Sequence, residues 1–589
     1  MASATDDPLI DKYGPTLTVY LNEAGYKRSR ELAPSLTEVH IADAVKSLAE
    51  PERVTFQTFE TLMALEWSPL CDHIYLILDD HGVYPLCIKL LRSIYAEERD
   101  ILENAYGFMC LQFITLSMDV AKIAQNGRLA TFQEEVSQLS PGHSIRAIMN
   151  NYARELEGEG IWYDMGNVDN FVRYLGWDWG EDRYRSCLPQ IGGCGFRDTM
   201  FLLQQLWNER DLFLQAAQVA SGIFPGWSGL VYVIWHAVFE NLGRLEKPTI
   251  LAAQFPKERS ELIWGFIFEI GLRYAMCSEM QEDPLIYVII NNQGLRVSLA
   301  KHNTYSPVDD EDAIQVATCT TRKLRSLSTI NDMNLMAAEI LGYASMLLGP
   351  TDFAFHAEQL YKAAFCRAWN EISAIHRMDS YRWYTFDIHL DILITSLNLL
   401  CEKHGKHPER VKAARDLALE WDLYELYAYT LLFPLSLHGR SIKAMEKLPD
   451  DLEFEMGLQM LVLKRNVIKS DVSLDPTYTF FPIWEKINSH IQFHQEVLGD
   501  ARMSKGRTMM TLWSGATRIF PYEHYISTNL AFQCAYARCA APKTRIAQEC
   551  GRCCLKVYCS RRCQQADWVC PHNPHMLHCR AIKRLTYRG

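Results

Sequence analysis

The side chains with the most chemistry to offer are cysteines. Nine of the 18 lie between Cys534 and Cys579, and the other nine are scattered over the first 533 residues. Such clustering marks a metal site rather than a set of core residues. The donors come in four pairs: Cys534 with Cys539, Cys550 with Cys553, Cys559 with Cys563, and His575 with Cys579. Zinc takes four thiolate or imidazole donors at about 2.0 to 2.3 Å, and spacings of two to four residues let one turn or one helical step aim two side chains at one ion. Every pair keeps to that spacing. Cys559 and Cys563, like His575 and Cys579, are four apart and so project from one face of a short helix. Spacing leaves some choices open. Cys554 competes with Cys553, His572 or His578 could replace His575, and Cys570 is spare. Eight donors fill two tetrahedra, which leaves no coordination position for water and no route to Lewis-acid or hydroxide chemistry, so the expected role of two zinc ions is structural. The segment has too few large apolar side chains to make a core, whereas a structural zinc supplies on the order of 10 kcal/mol of folding free energy.

The run Cys550-Gly-Arg-Cys553, Val557-Tyr558-Cys559-Ser-Arg-Arg-Cys563, Gln564-Gln-Ala-Asp567-Trp568 and His575-Met-Leu-His-Cys579 resembles the MYND zinc finger. The resemblance implies an interleaved arrangement, with Cys534, Cys539, Cys559 and Cys563 on one zinc and Cys550, Cys553, His575 and Cys579 on the other. It also implies a docking module for proteins through short proline-containing peptides, with Gln564 and Trp568 at the positions that touch the peptide. The chain departs from the family pattern in two places: the first pair has four intervening residues rather than two, and the stretch from Trp568 to His575 is long and carries Pro571 and Pro574. Gly551 stands where other members use a serine against the peptide. Trp568 also reads as a packing residue closing the small core around the metal.

The elements that must carry this module are helical. Residues 30 to about 530 show apolar positions at helical rather than alternating spacing, so the expected fold class is mainly α, a large helical body over 1–530 with a small two-zinc finger over 534–579 and a basic tail over 580–589. In Phe386 to Cys401, Phe386, Leu390, Leu393, Ile394, Leu397, Leu400 and Cys401 share one face, with Gly405 and Pro408 as stop signals. Similar segments are expected at Met109 to Ile123, Thr199 to Ala220, Leu335 to Leu348 and Arg410 to Phe433. Length favours a solenoid of stacked helix pairs, and Gly82 to Ile94 resembles the last helix of an armadillo repeat, although an ordinary helix with a proline in its first turn accounts for it equally. Breaks at Gly158-Glu159-Gly160 and Gly192-Gly193-Cys194-Gly195 read as loops, as does the aromatic stretch Gly176 to Gly180. Asp309 to Asp312 suit a loop or a helix N-terminus.

Charge and motif content narrow the function. Of 59 bases and 71 acids, the stretch 534–589 holds 11 bases against Glu549 and Asp567, so it is +9 while residues 1–533 are −21. Bound thiolates would cut that positive charge by about three, which weakens a nucleic-acid reading built on Arg552, Lys556, Arg561, Arg562, Lys583 and Arg584. The N-terminal stretch carries acids where a secretion signal needs bases, and no apolar run nears the roughly 18 residues of a membrane span, so cytoplasm or nucleus is expected and membrane partners are not. In a reducing compartment the scattered cysteines, Cys71, Cys110, Cys366 and Cys401 among them, read as small core hydrophobes. Gly226-Trp227-Ser228-Gly229 lacks the spacing of a nucleophile elbow, and no Walker loop, His-Glu-x-x-His helix or dinucleotide fingerprint occurs. Some SET-type lysine methyltransferases carry a MYND finger, but it lies near their N-terminus, and their Asn-His-Ser-Cys segment is absent here. The expected function is that of a non-enzymatic adaptor, suited to transcriptional regulation or ubiquitin-ligase assistance.

Overall fold

The computed structural model describes residues 12–22, 31–65, 83–125, 129–138, 196–220, 227–243, 257–279, 305–326, 334–348, 353–373, 388–397, 534–536, 548–552 and 556–569. It also describes single positions at 282, 286, 289–290, 386, 417, 423, 426–427, 575–576 and 579. The fold is mainly α. The named helices in chain order are α1 (Leu17–Asn22), α2 (Glu38–Leu48), α3 (Phe56–Ala64), α4 (Val83–Ala96), α5 (Ala105–Gln125), α6 (Leu129–Ser137), α7 (Phe196–Asn208), α8 (Arg210–Ala220), α9 (Ser228–Gly243) and α10 (Lys257–Ala275). There follow α11 (Asp310–Ser326), α12 (Asn334–Leu347) and α13 (Phe353–Ser373), then a small hairpin of β1 (Gln548–Glu549) and β2 (Val557–Tyr558), and α14 (Arg561–Trp568). The chain divides into two compact units, Met1–Asp312 and Ala313–Gly589.

In the first unit the most apolar helices face the core. Leu230, Val231, Ile234 and Val238 of α9 are buried, as are Ile263, Ile267, Ile270 and Leu272 of α10. Among the described residues no helix is long and apolar enough to cross a membrane. The helix α5 packs on α4 and α3, while α7, α9 and α10 pack on one another. Aromatic rings fill the spaces between. Phe59 meets Tyr106 and Phe113, each with centroids 5.2 Å apart, and Trp227, fully buried, lies between Phe108 and Phe213. Each such ring removes a large apolar area from water, and full burial of a Phe contributes about 1.5 to 3 kcal/mol. Gly14, at φ +72°, lies against Phe56: a Cβ there would stand 2.5 Å from the ring, so both the backbone and the space require glycine.

Several carboxylates buried in this unit are matched by donors. The segment Thr199 to Ala220, expected as one helix, is interrupted at Glu209 between α7 and α8. The Glu209 carboxylate accepts the backbone N–H groups of Ile101 at 2.8 Å and Leu102 at 2.5 Å, ahead of α5. Burial nonetheless pushes its pKa up to about 7. Arg273, fully buried in α10, donates Nη1 to Asp312 Oδ1 at 2.6 Å and Nη2 to Oδ2 at 2.8 Å, a bidentate pair, with Glu269 at 3.6 Å. Glu269 also accepts from Trp207 Nε1 at 2.8 Å. Asp309 caps α11 by accepting the Asp312 N–H at 2.8 Å, so the acidic run 309–312 serves a helix start. Ser228, read above as no nucleophile elbow, opens α9, where Glu282 accepts from it and from Tyr274 Oη at 2.5 Å; burial raises Glu282 to about 7.

In the second unit, α12 covers the expected Leu335 to Leu348 helix, and the face predicted for Phe386 to Cys401 is buried at Phe386, Leu390, Leu393, Ile394 and Leu397. Leu400 and Cys401 lie outside the described residues, as does most of Arg410 to Phe433, of which Leu417, Leu423, Leu426 and Tyr427 are helical and buried. The glycine-rich breaks at 158–160 and 192–195 and the aromatic stretch 176–180 are likewise outside them, as is Cys71. Cys110 is a core residue as expected, but Cys366 is exposed. Its neighbours explain the difference, because Ala363, Ala364, Phe365 and Arg367 take the inward positions of α13 and leave 366 on the outer side.

Candidate metal centre

Three short elements bring the C-terminal donors together. The strands β1 and β2 pair antiparallel, Gln548 opposite Tyr558 and Glu549 opposite Val557, and Cys550 N–H donates to Lys556 O at 2.8 Å to close the hairpin. The chain leaves β2 through Cys559 and enters α14 at Ser560, whose extended backbone and side chain make an N-cap: Ser560 Oγ accepts the Cys563 N–H at 3.2 Å. That cap fixes the geometry of the Cys559–Cys563 pair, whose sulfurs stand 3.5 Å apart.

Asp567, near the far end of α14, ties the helix back to the hairpin. Its Oδ2 accepts from Tyr558 Oη at 2.8 Å and pairs with Lys556 Nζ at 3.1 Å, and both Tyr558 and Asp567 are buried. In so small a unit one buried carboxylate with a charged and a neutral donor does what a core does elsewhere, since breaking it would strand a charge. Tyr558 and Asp567 belong to the Cys/His pattern in the sequence, but the pattern does not reveal this link. The signal available was a lysine and an aromatic hydroxyl two positions apart with an acid nearby in a basic segment.

Six of the eight expected donors fall into two groups. Cys534, Cys559 and Cys563 form one, and Cys550, His575 and Cys579 the other, with donor atoms in each group within 4.8 Å of one another. In the second group His575 Nε2 stands 3.2 Å from Cys550 Sγ, and Cys550 Sγ stands 3.7 Å from Cys579 Sγ. Two sulfurs held by one tetrahedral ion at about 2.3 Å each are about 3.7 Å apart, so these separations suit a shared metal. The groups interleave along the chain, each drawing on donors that flank the other's. Cys539 and Cys553 lie outside the described residues, and so do the alternatives Cys554, Cys570, His572 and His578.

The environment suits metal-ligating chemistry. His575 is fully buried, and burial, with the positive charge of Lys556, lowers its pKa to about 4. It therefore presents a neutral imidazole above that pH, the form a metal needs. Its ring is covered by Trp568 at 5.7 Å and Tyr558 at 6.3 Å between centroids, both edge-on. Trp568, expected either at a peptide groove or in packing, does pack: it lies against the buried set of Cys534, Cys550, Tyr558 and Cys579 while remaining partly exposed. The Arg552 guanidinium stands over the Trp568 ring, 5.2 Å from its centroid. Gln564 is half-buried, one helical turn before Trp568.

Comparison with protein-family models, with curated proteins and with solved structures finds no match to this chain. What the site can do therefore rests on its own donors: two Cys/His groups that could each hold a metal ion.

Proposed function

We propose that the two groups bind zinc as a MYND-type finger, and that the chain is a non-enzymatic adaptor whose finger docks a short proline-containing segment of another protein. The observation that carries this reading is the pairing of donors. Cys559 and Cys563 join Cys534, while Cys550 joins His575 and Cys579, the interleaving that the resemblance implies and that spacing alone leaves open. With Cys539 and Cys553 as the fourth donors, each zinc would be closed by protein, supplying a structural cross-link between hairpin, helix and C-terminal turn. Thiolate-rich donor sets favour zinc over the harder divalent cations.

Gln564 and Trp568 lie on one face of α14, and Val569 beside them is 67% exposed, so the finger offers an aromatic, an amide and an aliphatic group to a partner. The helical body supplies a second surface, and two surfaces on one chain are what an adaptor needs. The test is an array of synthetic proline-containing peptides probed with the zinc-loaded full chain, with its Gln564→Ala variant and with chelated protein. The reading predicts a subset of peptides held by the loaded chain, weakened at least several-fold by Gln564→Ala with zinc content unchanged, and lost on chelation. Binding indifferent to chelation, or none at all, would contradict it.

A further inference from the structure

The two groups differ in how far solvent reaches their sulfurs. Cys550, His575 and Cys579 are 2%, 0% and 1% exposed and lie beneath the Tyr558 and Trp568 rings. Among the described donors of the other group only Cys534 is buried, while Cys559 and Cys563 are both partly exposed, where β2 turns into α14. Thiolate oxidation requires a sulfur that the oxidant can approach.

We propose that Cys559 and Cys563 form an oxidation site: a peroxide converts the pair to a disulfide and empties the first metal group, while the buried second group keeps its ion. The inference rests on the reading that both groups hold zinc. One sulfur of the pair, as thiolate, attacks a peroxide oxygen; an S–O bond forms, the O–O bond breaks, and hydroxide (or alkoxide) leaves. The other thiolate then attacks the resulting sulfenic sulfur, so that an S–S bond forms, the S–O bond breaks and a second hydroxide leaves. Two thiolates lose two electrons in all and the peroxide gains them. The sulfurs already stand 3.5 Å apart, so about 1.5 Å of approach brings them to bonding distance. A group deprived of two thiolates no longer holds a zinc ion against chelators, whereas Cys550, His575 and Cys579 remain intact.

The test uses the zinc-loaded full chain, titrated with hydrogen peroxide while a chromogenic chelator follows released zinc and peptide mapping locates oxidised cysteines. The expected result is a first phase that releases one zinc per chain, coincident with a Cys559–Cys563 disulfide, with Cys550 and Cys579 still available to alkylation after denaturation. A thiol reductant with added zinc then restores two ions. Release of both ions in one phase, or first oxidation at Cys550 or Cys579, would overturn the inference and leave the two-zinc reading standing. Fewer than two zinc ions before any peroxide would overturn both.

Discussion

The first helical unit and the C-terminal finger both bury a carboxylate, and they hold it in opposite ways. In the helical unit Asp312 pairs with Arg273 inside a structure already made stable by rings and aliphatic side chains from α3, α5, α9 and α10. In the C-terminal segment Asp567 pairs with Lys556 and Tyr558 where, among the described residues, the other buried groups are cysteines and a histidine, with Trp568 partly buried beside them. The polar link in the first case depends on an apolar core. In the second it works beside metal donors, and without an ion the remaining contacts are too few to offset the chain entropy of ordering the segment. The difference teaches that the same ion-pair chemistry has different consequences according to what surrounds it, and it predicts that the segment 534–579 unfolds separately from the helical body.

The comparison breaks most sharply on metal removal. A strong chelator, or Cys579→Ser, should unfold the segment from 534 to 579 at a cost on the order of 10 kcal/mol of metal-linked folding free energy. Limited proteolysis should then cut within that segment while far-ultraviolet circular dichroism, dominated by the helical body, changes little. A cooperative loss of the whole helical signal would show that the two are not separable.

Asp312→Ala should act the other way round. It leaves the buried Arg273 guanidinium without its bidentate partner and should destabilise the first unit by about 3 to 5 kcal/mol in urea denaturation, with zinc content unchanged. A loss under about 1 kcal/mol would mean that Glu269, 3.6 Å away, substitutes as partner.

The body should also carry a pH dependence opposite in sign to that of the C-terminal segment, whose His575, lowered to about 4 when folded, and whose thiol donors hold a metal less well as pH falls. Glu209 and Glu282 are raised to about 7 by burial, above the ordinary carboxylate value of 4.5 they take when unfolded. A raised folded pKa means stability fully present below 4.5 and lost as pH rises toward 7, because only the unfolded chain releases those protons freely. Glu282→Gln keeps a neutral side chain at all pH values and should flatten the decline by up to about 3 kcal/mol between pH 4.5 and 7. An unchanged slope in a chemical-denaturation series would contradict this assignment. The smallest effect is expected from Ser560→Ala, which removes the α14 cap and should cost the finger about 1 kcal/mol, read as weaker zinc retention in a chelator competition.

How much of this was legible in the sequence follows the range of the interactions. The donors were legible because short spacings are local, and so was the inward face of Phe386, Leu390, Leu393, Ile394 and Leu397, because a helix repeats its own pattern. The role of Glu209, at the break between α7 and α8, was not, since its carboxylate accepts from two backbone N–H groups at residues 101 and 102, over a hundred positions away. The Arg273–Asp312 pair was hidden for the same reason: its partners are 39 residues apart and each reads as an ordinary surface charge. Within the finger, spacing grouped the donors into adjacent pairs, but which pairs share an ion depends on the hairpin returning Cys550 toward His575 and Cys579, away from Cys559. Cys366 misled because its residue type favours burial, whereas its position on α13 decides otherwise.

The central proposal is that residues 534–579 hold two zinc ions. Elemental analysis of the purified full chain beside a version ending before Cys534 tests it most directly. The account predicts two zinc per full chain and none in the shortened one. Zero or one in the full chain, or zinc that persists after the shortening, would contradict it.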